Sequence, residues 1–392
     1  MKTNIQRSLQ CLVLLWLFCV SINLQASIIP APPQLAAEGY LLIDADTGEV
    51  LVEHNSVQRL PPASLTKMMT SYVASSELAS GRLSGTDEVD VSVKAWRTEG
   101  SRMFIREGTK VLIDDLMKGI IIQSGNDASV AIAEHIAGSE EAFADVMNQQ
   151  AVLLGMKDTQ YQNATGLPNE GHYTTAADLA KLTTALIKNF PEHYSLYGEK
   201  YFSYNDIRQP NRNLLLWRDK SVDGVKTGHT DAAGYCLVSS ALRDDMRLIA
   251  VVMGASSEEA RATESQKLLS YGFRYFETLR LYKAAETLRT VRVWGGQIDR
   301  LDLGVAQAVA LTVTRGTKAE LSATLDIDGV MHAPIKRGDT LGQLKISDGE
   351  GVIAELPLVA LMDIAEAGFF KGLWDSINLF FTQLFSGDAL AV

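Results

Sequence analysis

The chain has 392 residues, 46% of them hydrophobic and 21% charged, with a formal net charge of −11. That length suffices for two domains and a sizeable core, and that apolar content excludes a disordered chain. The acidic balance argues against nucleic acid as the main partner, while a local cationic pocket for a small anion stays compatible with it.

Residues 1–26 read as a secretory signal: Lys2 and Arg7 precede the apolar run Cys11–Val20, and Gln25-Ala26 offers a small residue for cleavage. The run is short for a membrane span of about 20 residues, so a cleaved leader and an exported mature chain are expected. Cys11 and Cys19 leave with it, and Cys236 remains alone, so no intrachain disulfide can form. The six histidines show no metal-ligand spacing, and neither a metal nor a cofactor is expected.

After a proline-containing leader, Tyr40–Ile43 and Glu49–Val52 flank an Asp/Gly turn and predict a hairpin. Pro61-Pro62 then halts the extended chain, and a helix is expected from about Ser64 to Leu78. At that helix start Lys67 falls three residues after Ser64, on the same face. This is the spacing of a hydroxyl nucleophile beside an amine base, at an end whose dipole favours a developing alkoxide. The bland alternative is an ordinary helix start with a solvated lysine, but Met68, Met69 and Val73 predict a buried helix around it. Val89–Val93 alternates like a short strand, and another begins at Gly108–Val111. Helices follow at 113–122, 128–136, 141–154 and 174–187.

Ser124-Gly125-Asn126 occupies the loop between the first two of those helices, and Lys226-Thr227-Gly228 lies just before a predicted hairpin (235–241 and 248–254), on or near an edge strand. The hairpin leads into a helix over 258–276. Strands on both sides of a helical insert predict one α+β domain. From about 285 the pattern turns to short alternating strands (290–294, 309–313, 321–325, 351–356), a small all-β domain read as a spacer or docking module. The last segment places Phe369, Phe370, Leu373, Trp374, Ile377, Phe380, Phe381, Leu384 and Phe385 on one helical stripe, with only Leu379 outside it. Lys371, Asp375 and other polar residues take the opposite side. The expectation is an amphipathic helix lying in a membrane interface and held there by apolar contact.

Ser64-x-x-Lys67, Ser124-x-Asn126 and Lys226-Thr227-Gly228, in this order and at these separations, form the triple found in β-lactamases and penicillin-binding proteins. Together with Lys226–Asp231, Ala233–Tyr235, Met246–Ile249 and Gly272–Thr278, the sequence resembles the low-molecular-mass penicillin-binding proteins, serine-type D-Ala-D-Ala carboxypeptidases. The resemblance covers nearly the whole mature chain. It implies a β-lactamase/transpeptidase-like α+β catalytic domain over 27–276, a β domain over 277–365, and an anchor helix and tail over 366–392. It implies Ser64, Lys67 and Ser124 as catalytic residues. Asn126, Lys226, Thr227, Gly228, His229 and Arg261 become substrate-binding residues, with Arg212 a weaker candidate for the substrate carboxylate. Repulsion from Lys226 is expected to keep Lys67 neutral. The implied partners are the peptidoglycan pentapeptide stem, β-lactam antibiotics as covalent inhibitors, and the periplasmic face of the bacterial inner membrane.

Three rivals stay in view. A serine β-lactamase needs a deacylating acid, and Glu170 is the only acid in 163–170. A peptidoglycan DD-endopeptidase would use the same residues in a wider groove. A non-catalytic module would not need the complete set.

Overall fold

The computed structural model describes residues 29–349, 351–385 and 389–391; the predicted leader lies outside them. The centre of the first half is a five-stranded antiparallel sheet. Its strands are β1 (Gly39–Asp44), β2 (Val50–His54), β7 (Val222–Thr230), β8 (Gly234–Arg243) and β9 (Met246–Ala255), in the order β2-β1-β9-β8-β7. Two short antiparallel pairs come between them in sequence: β3 (Glu88–Asp90) with β4 (Lys110–Leu112), and the hairpin of β5 (Tyr201–Tyr204) with β6 (Ile207–Pro210).

The sheet is buried on both faces, and the strand periodicity assigns each side chain. Leu41, Ile43, Ile249, Val251 and Met253 join one apolar cluster; Tyr40, Leu42, Leu248, Ala250 and Val252 join another. A strand covered on both sides reads as a continuous apolar run, as Leu248–Met253 does, rather than as an alternation. The first face carries the helical insert. That comprises α1 (Lys67–Ala79), α2 (Val93–Arg97), α3 (Ile113–Ile121), α4 (Asn126–Ala137), α5 (Glu140–Leu153), α6 (Ala176–Asn189) and the short turn α7 (Pro191–Tyr194). The other face carries the short turn α8 (Leu215–Arg218) and α9 (Glu258–Tyr275). Ser139, Thr175 and Ser257 cap α5, α6 and α9 by accepting the N–H three residues on.

The second half holds β10 (Phe276–Tyr282), β11 (Thr287–Trp294), β12 (Arg300–Gly304), β13 (Val309–Thr314), β14 (Ser322–Ile327), β15 (Met331–His332), β16 (Thr340–Ser347) and β17 (Val352–Ala360). Six of these form a sheet in the order β14-β16-β17-β12-β11-β15, and β10 pairs with β13. β10 leaves α9 without a linker. The two halves meet where the buried Asp44 carboxylate accepts Thr278 Oγ1 at 2.5 Å and Thr312 Oγ1 at 2.8 Å.

The chain closes with α10 (Phe369–Leu384). Its polar side docks on the β half. Asp375 is buried and accepts the Gly295 N–H at 3.1 Å, and Lys371 Nζ bonds the Gly296 carbonyl and the Asp299 carboxylate. Its apolar stripe faces outward, with Phe369 79% and Phe370 85% exposed. No helix among the described residues is long and apolar enough to cross a membrane.

Three local expectations differ from the fold. Residues 63–66 form a 3-10 turn, and the α-helix begins at Lys67. The strand read at 89–93 stops at Asp90 because Ser92 accepts the Ala95 N–H and caps α2. The hairpin β5–β6 and the full nine-residue strand β7 were not foreseen.

Candidate active site

The tight turn Ala63–Thr66 presents Ser64 with its hydroxyl free of any capping bond, half-buried at the edge of the core. One turn on, Lys67 opens α1 with only 1% of its surface exposed. Its ammonium nitrogen lies 3.2 Å from Ser64 Oγ, 2.6 Å from Asn126 Oδ1 and 2.5 Å from the Thr165 carbonyl oxygen. The Asn126 and Thr165 oxygens thus fix the amine against the Ser64 hydroxyl.

Ser124 sits in the α3–α4 loop with φ +61, and its hydroxyl accepts a hydrogen bond from Lys226 Nζ at 3.0 Å. Asn126, the first residue of α4, bonds Lys67 through its oxygen and donates from Nδ2 to the Glu99 carbonyl at 2.6 Å. Lys226, Thr227 and Gly228 lie on β7, the edge strand of the sheet, and Lys226 and Thr227 are buried. β7 passes against the nucleophile turn at Gly228, where a Cβ would stand 3.0 Å from the Pro62 carbonyl oxygen. Glycine is what allows that approach. His229 is exposed and stacks on Tyr235 with ring centroids 4.0 Å apart. Arg261, buried in the first turn of α9, donates to the Gly228 carbonyl at 3.2 Å. Arg212 is exposed and donates to Ser101 Oγ at 2.7 Å.

Burial first, then repulsion from Arg212, lowers the Lys67 amine to a pKa of about 7. Lys226 is driven well below the ordinary lysine range by burial, then by Lys67, Arg212 and Arg261. The two buried amines repel one another, as expected, and burial and Arg212 add to the lowering of Lys67.

Several supporting groups were not singled out from sequence. The Asn163 carboxamide oxygen accepts the N–H groups of Thr165 (3.1 Å) and Gly166 (2.7 Å), shaping the loop that offers the Thr165 carbonyl to Lys67. Gly166 has φ +81, and a Cβ there would fall 1.8 Å from the Ala63 carbonyl oxygen. Thr66 Oγ1 meets His172 Nε2 at 2.9 Å, and burial followed by the Lys67 charge lowers that imidazole to about 4. Asp127 accepts the N–H groups of Met103, Phe104 and Ile105 at 3.0, 2.8 and 3.2 Å, tying residues 103–105 to the start of α4. Asn163-Ala164-Thr165-Gly166 carries a legible turn signal; the Asp127 role does not show in a linear sequence.

Residues 26–257 match the family model described as D-alanyl-D-alanine carboxypeptidase. The chain belongs to that family. Residues 276–366 match the model described as penicillin-binding protein 5, C-terminal domain. D-alanyl-D-alanine carboxypeptidase DacA of Escherichia coli is 44% identical over 367 residues, covering 92% of this chain and 91% of that protein. The crystal structure of penicillin-binding protein 5 from Haemophilus influenzae superposes with a TM-score of 0.82 at 40% identity, covering 86% of this chain and all of the other. Penicillin-binding protein D2 of Listeria monocytogenes in its ampicillin-bound form gives a TM-score of 0.58 at 29% identity, covering 62% of this chain and all of that one. This member of the carboxypeptidase family therefore shares both its halves with penicillin-binding protein 5 from Haemophilus influenzae.

Proposed function

We propose that Ser64 is the nucleophile through which this chain, a serine-type D-alanyl-D-alanine carboxypeptidase that acts on peptidoglycan and binds penicillin, removes the terminal D-Ala of a pentapeptide stem. The observation that carries the reading is the Lys67 amine 3.2 Å from Ser64 Oγ, with its pKa brought down to about 7. Half of it is then neutral at neutral pH, the state a general base needs.

In this reading Ser64 Oγ attacks the carbonyl between the two D-alanines as its proton passes to Lys67 Nζ. The backbone N–H groups of Ser64 and His229 stabilise the oxyanion. The C–N bond breaks, and Ser124, in hydrogen-bond contact with Lys226, relays a proton to the departing amine. Asn126 holds the substrate amide. Lys226, Thr227, Arg261 and Arg212 receive the terminal carboxylate. Water then hydrolyses the acyl-enzyme. A β-lactam acylates the same hydroxyl and stays.

The catalytic unit is assigned to 27–276 and the β unit to 277–365. Export through residues 1–26 would put the enzyme at the periplasmic face of the inner membrane. The outward apolar stripe of α10 supports its lying in the lipid interface, because Lys371 and Asp375 already occupy the protein-facing side.

The test pairs Ser64→Ala with product analysis. The substitution should abolish D-Ala release and the penicillin adduct while leaving the fold intact. Retained hydrolysis would overturn the assignment. Cleavage of cross-linked muropeptides in preference to pentapeptides would favour an endopeptidase, and rapid penicillin turnover without peptidase activity a β-lactamase.

A further inference from the structure

Beside the catalytic centre lies an open cleft of about 280 Å³, lined by Trp96, Arg102, Phe104, Ile105, Arg106, Asn205 and Ile207. Trp96, Phe104 and Ile207 are large apolar side chains left 38%, 44% and 41% exposed around this one depression. Neither Arg102 nor Arg106 has an ion-pair or hydrogen-bond partner for its guanidinium among the described residues. The two segments that build the cleft, 96–107 and 201–212, carry five arginines against three acids in a chain whose net charge is −11.

The segment that lines the cleft is tied to the active site by hydrogen bonds. Ser101 is the joint: its carbonyl accepts the Asn126 N–H at 2.7 Å, and its hydroxyl accepts Arg212 at 2.7 Å. Residues 102–106 follow at once, clamped by the Asp127 carboxylate one residue after Asn126. From the other side Gln209 Nε2 donates to the Arg102 carbonyl at 3.3 Å. Phe104 is held with φ +71, a left-handed conformation that an aromatic residue seldom adopts. A strained, exposed ring on a segment held by three hydrogen bonds to one buried carboxylate points to a functional constraint.

We propose that this cleft is a second subsite, taking a carboxylate-bearing stretch of the stem peptide upstream of the scissile bond. The inference rests on the reading of Ser64 and Asn126 given above. With the terminal carboxylate at β7 and its amide held by Asn126, the upstream chain leaves across Ser101 and reaches residues 102–106. The rings of Trp96 and Phe104 then cover methylene groups, and Arg102 and Arg106 receive carboxylates.

The experiment uses the intact protein with two peptides ending in D-Ala-D-Ala, one with free upstream carboxylates and one with those carboxylates amidated, and with penicillin as a third ligand. The native protein should show a lower KM for the carboxylate peptide, by roughly fivefold for each guanidinium engaged, a preference that shrinks with added salt. In the Arg102→Gln/Arg106→Gln double variant the two peptides should become equivalent, with kcat and penicillin acylation unchanged. Arg106→Glu should reverse the preference. Equal KM values in the native protein would overturn the proposal. So would a double variant in which both peptides and penicillin decline together, since that signals a disturbed catalytic site rather than a lost subsite. Failure of penicillin to acylate the native protein would instead overturn the Ser64 reading.

Discussion

Removing the Arg212 charge should move the pH at which the nucleophile switches on. Lys67 must be neutral to accept the Ser64 proton, and its pKa is about 7. Between pH 6 and pH 8 its neutral fraction rises about tenfold, and kcat/KM for acylation by penicillin should rise by the same factor before levelling. Arg212 is the leading charge holding Lys67 down after burial. Arg212→Gln should therefore raise the inflexion by up to about one pH unit, equivalent to ~1.4 kcal/mol. At pH 7 acylation would fall about fivefold from this cause and recover at pH 9. Because Arg212 is exposed, high salt should narrow the gap between the two proteins. The variant's inflexion stays well below the ordinary lysine range, since burial is the larger cause. Stopped-flow acylation across pH 5–9 reads all of this. A profile flat between pH 6 and 8, or an Arg212→Gln effect of the same size at every pH, would refute the reasoning, the latter assigning Arg212 to carboxylate binding alone.

Gly166→Ala should cost more than ~2 kcal/mol of stability and most of the activity, because the added carbon meets the Ala63 carbonyl in a left-handed conformation; thermal unfolding and penicillin labelling check both. Asp127→Asn leaves the N–H groups of 103–105 sharing a poorer acceptor, with a loss of about 1–3 kcal/mol and faster amide exchange confined to that loop. Deleting residues 366–392 should release an active protein from lipid vesicles, where the full mature chain stays bound even in high salt; persistent binding after deletion would contradict an interfacial role for α10.

The candidate catalytic residues were legible because each belongs to a short motif, and order along the chain supplied what geometry later expressed as contact. Lys67 and Ser64 are local neighbours on one turn, so helical spacing alone brings them together. The helices of the insert showed their apolar periodicity, and the run Leu248–Met253 announced a strand. β7 was legible as an edge strand at or near Lys226-Thr227-Gly228, but its full length was hidden because Gly224, Lys226, Thr227 and Gly228 lack strand alternation; register with β8 sets its extent. The share of burial and of Arg212 in the Lys67 shift was not legible either. Arg212 lies far along the chain, and desolvation is a property of the packed core. The Asp127 clamp and the Arg102–Arg106 cleft depend equally on tertiary placement.

The most direct measurement is the mass of the intact protein after brief exposure to penicillin, followed by location of the modified peptide. The account predicts one adduct, carried on the peptide containing Ser64, formed slowly or not at all in Lys67→Ala and absent in Ser64→Ala. An adduct on any other residue, or one forming at the native rate without the Lys67 amine, would contradict it.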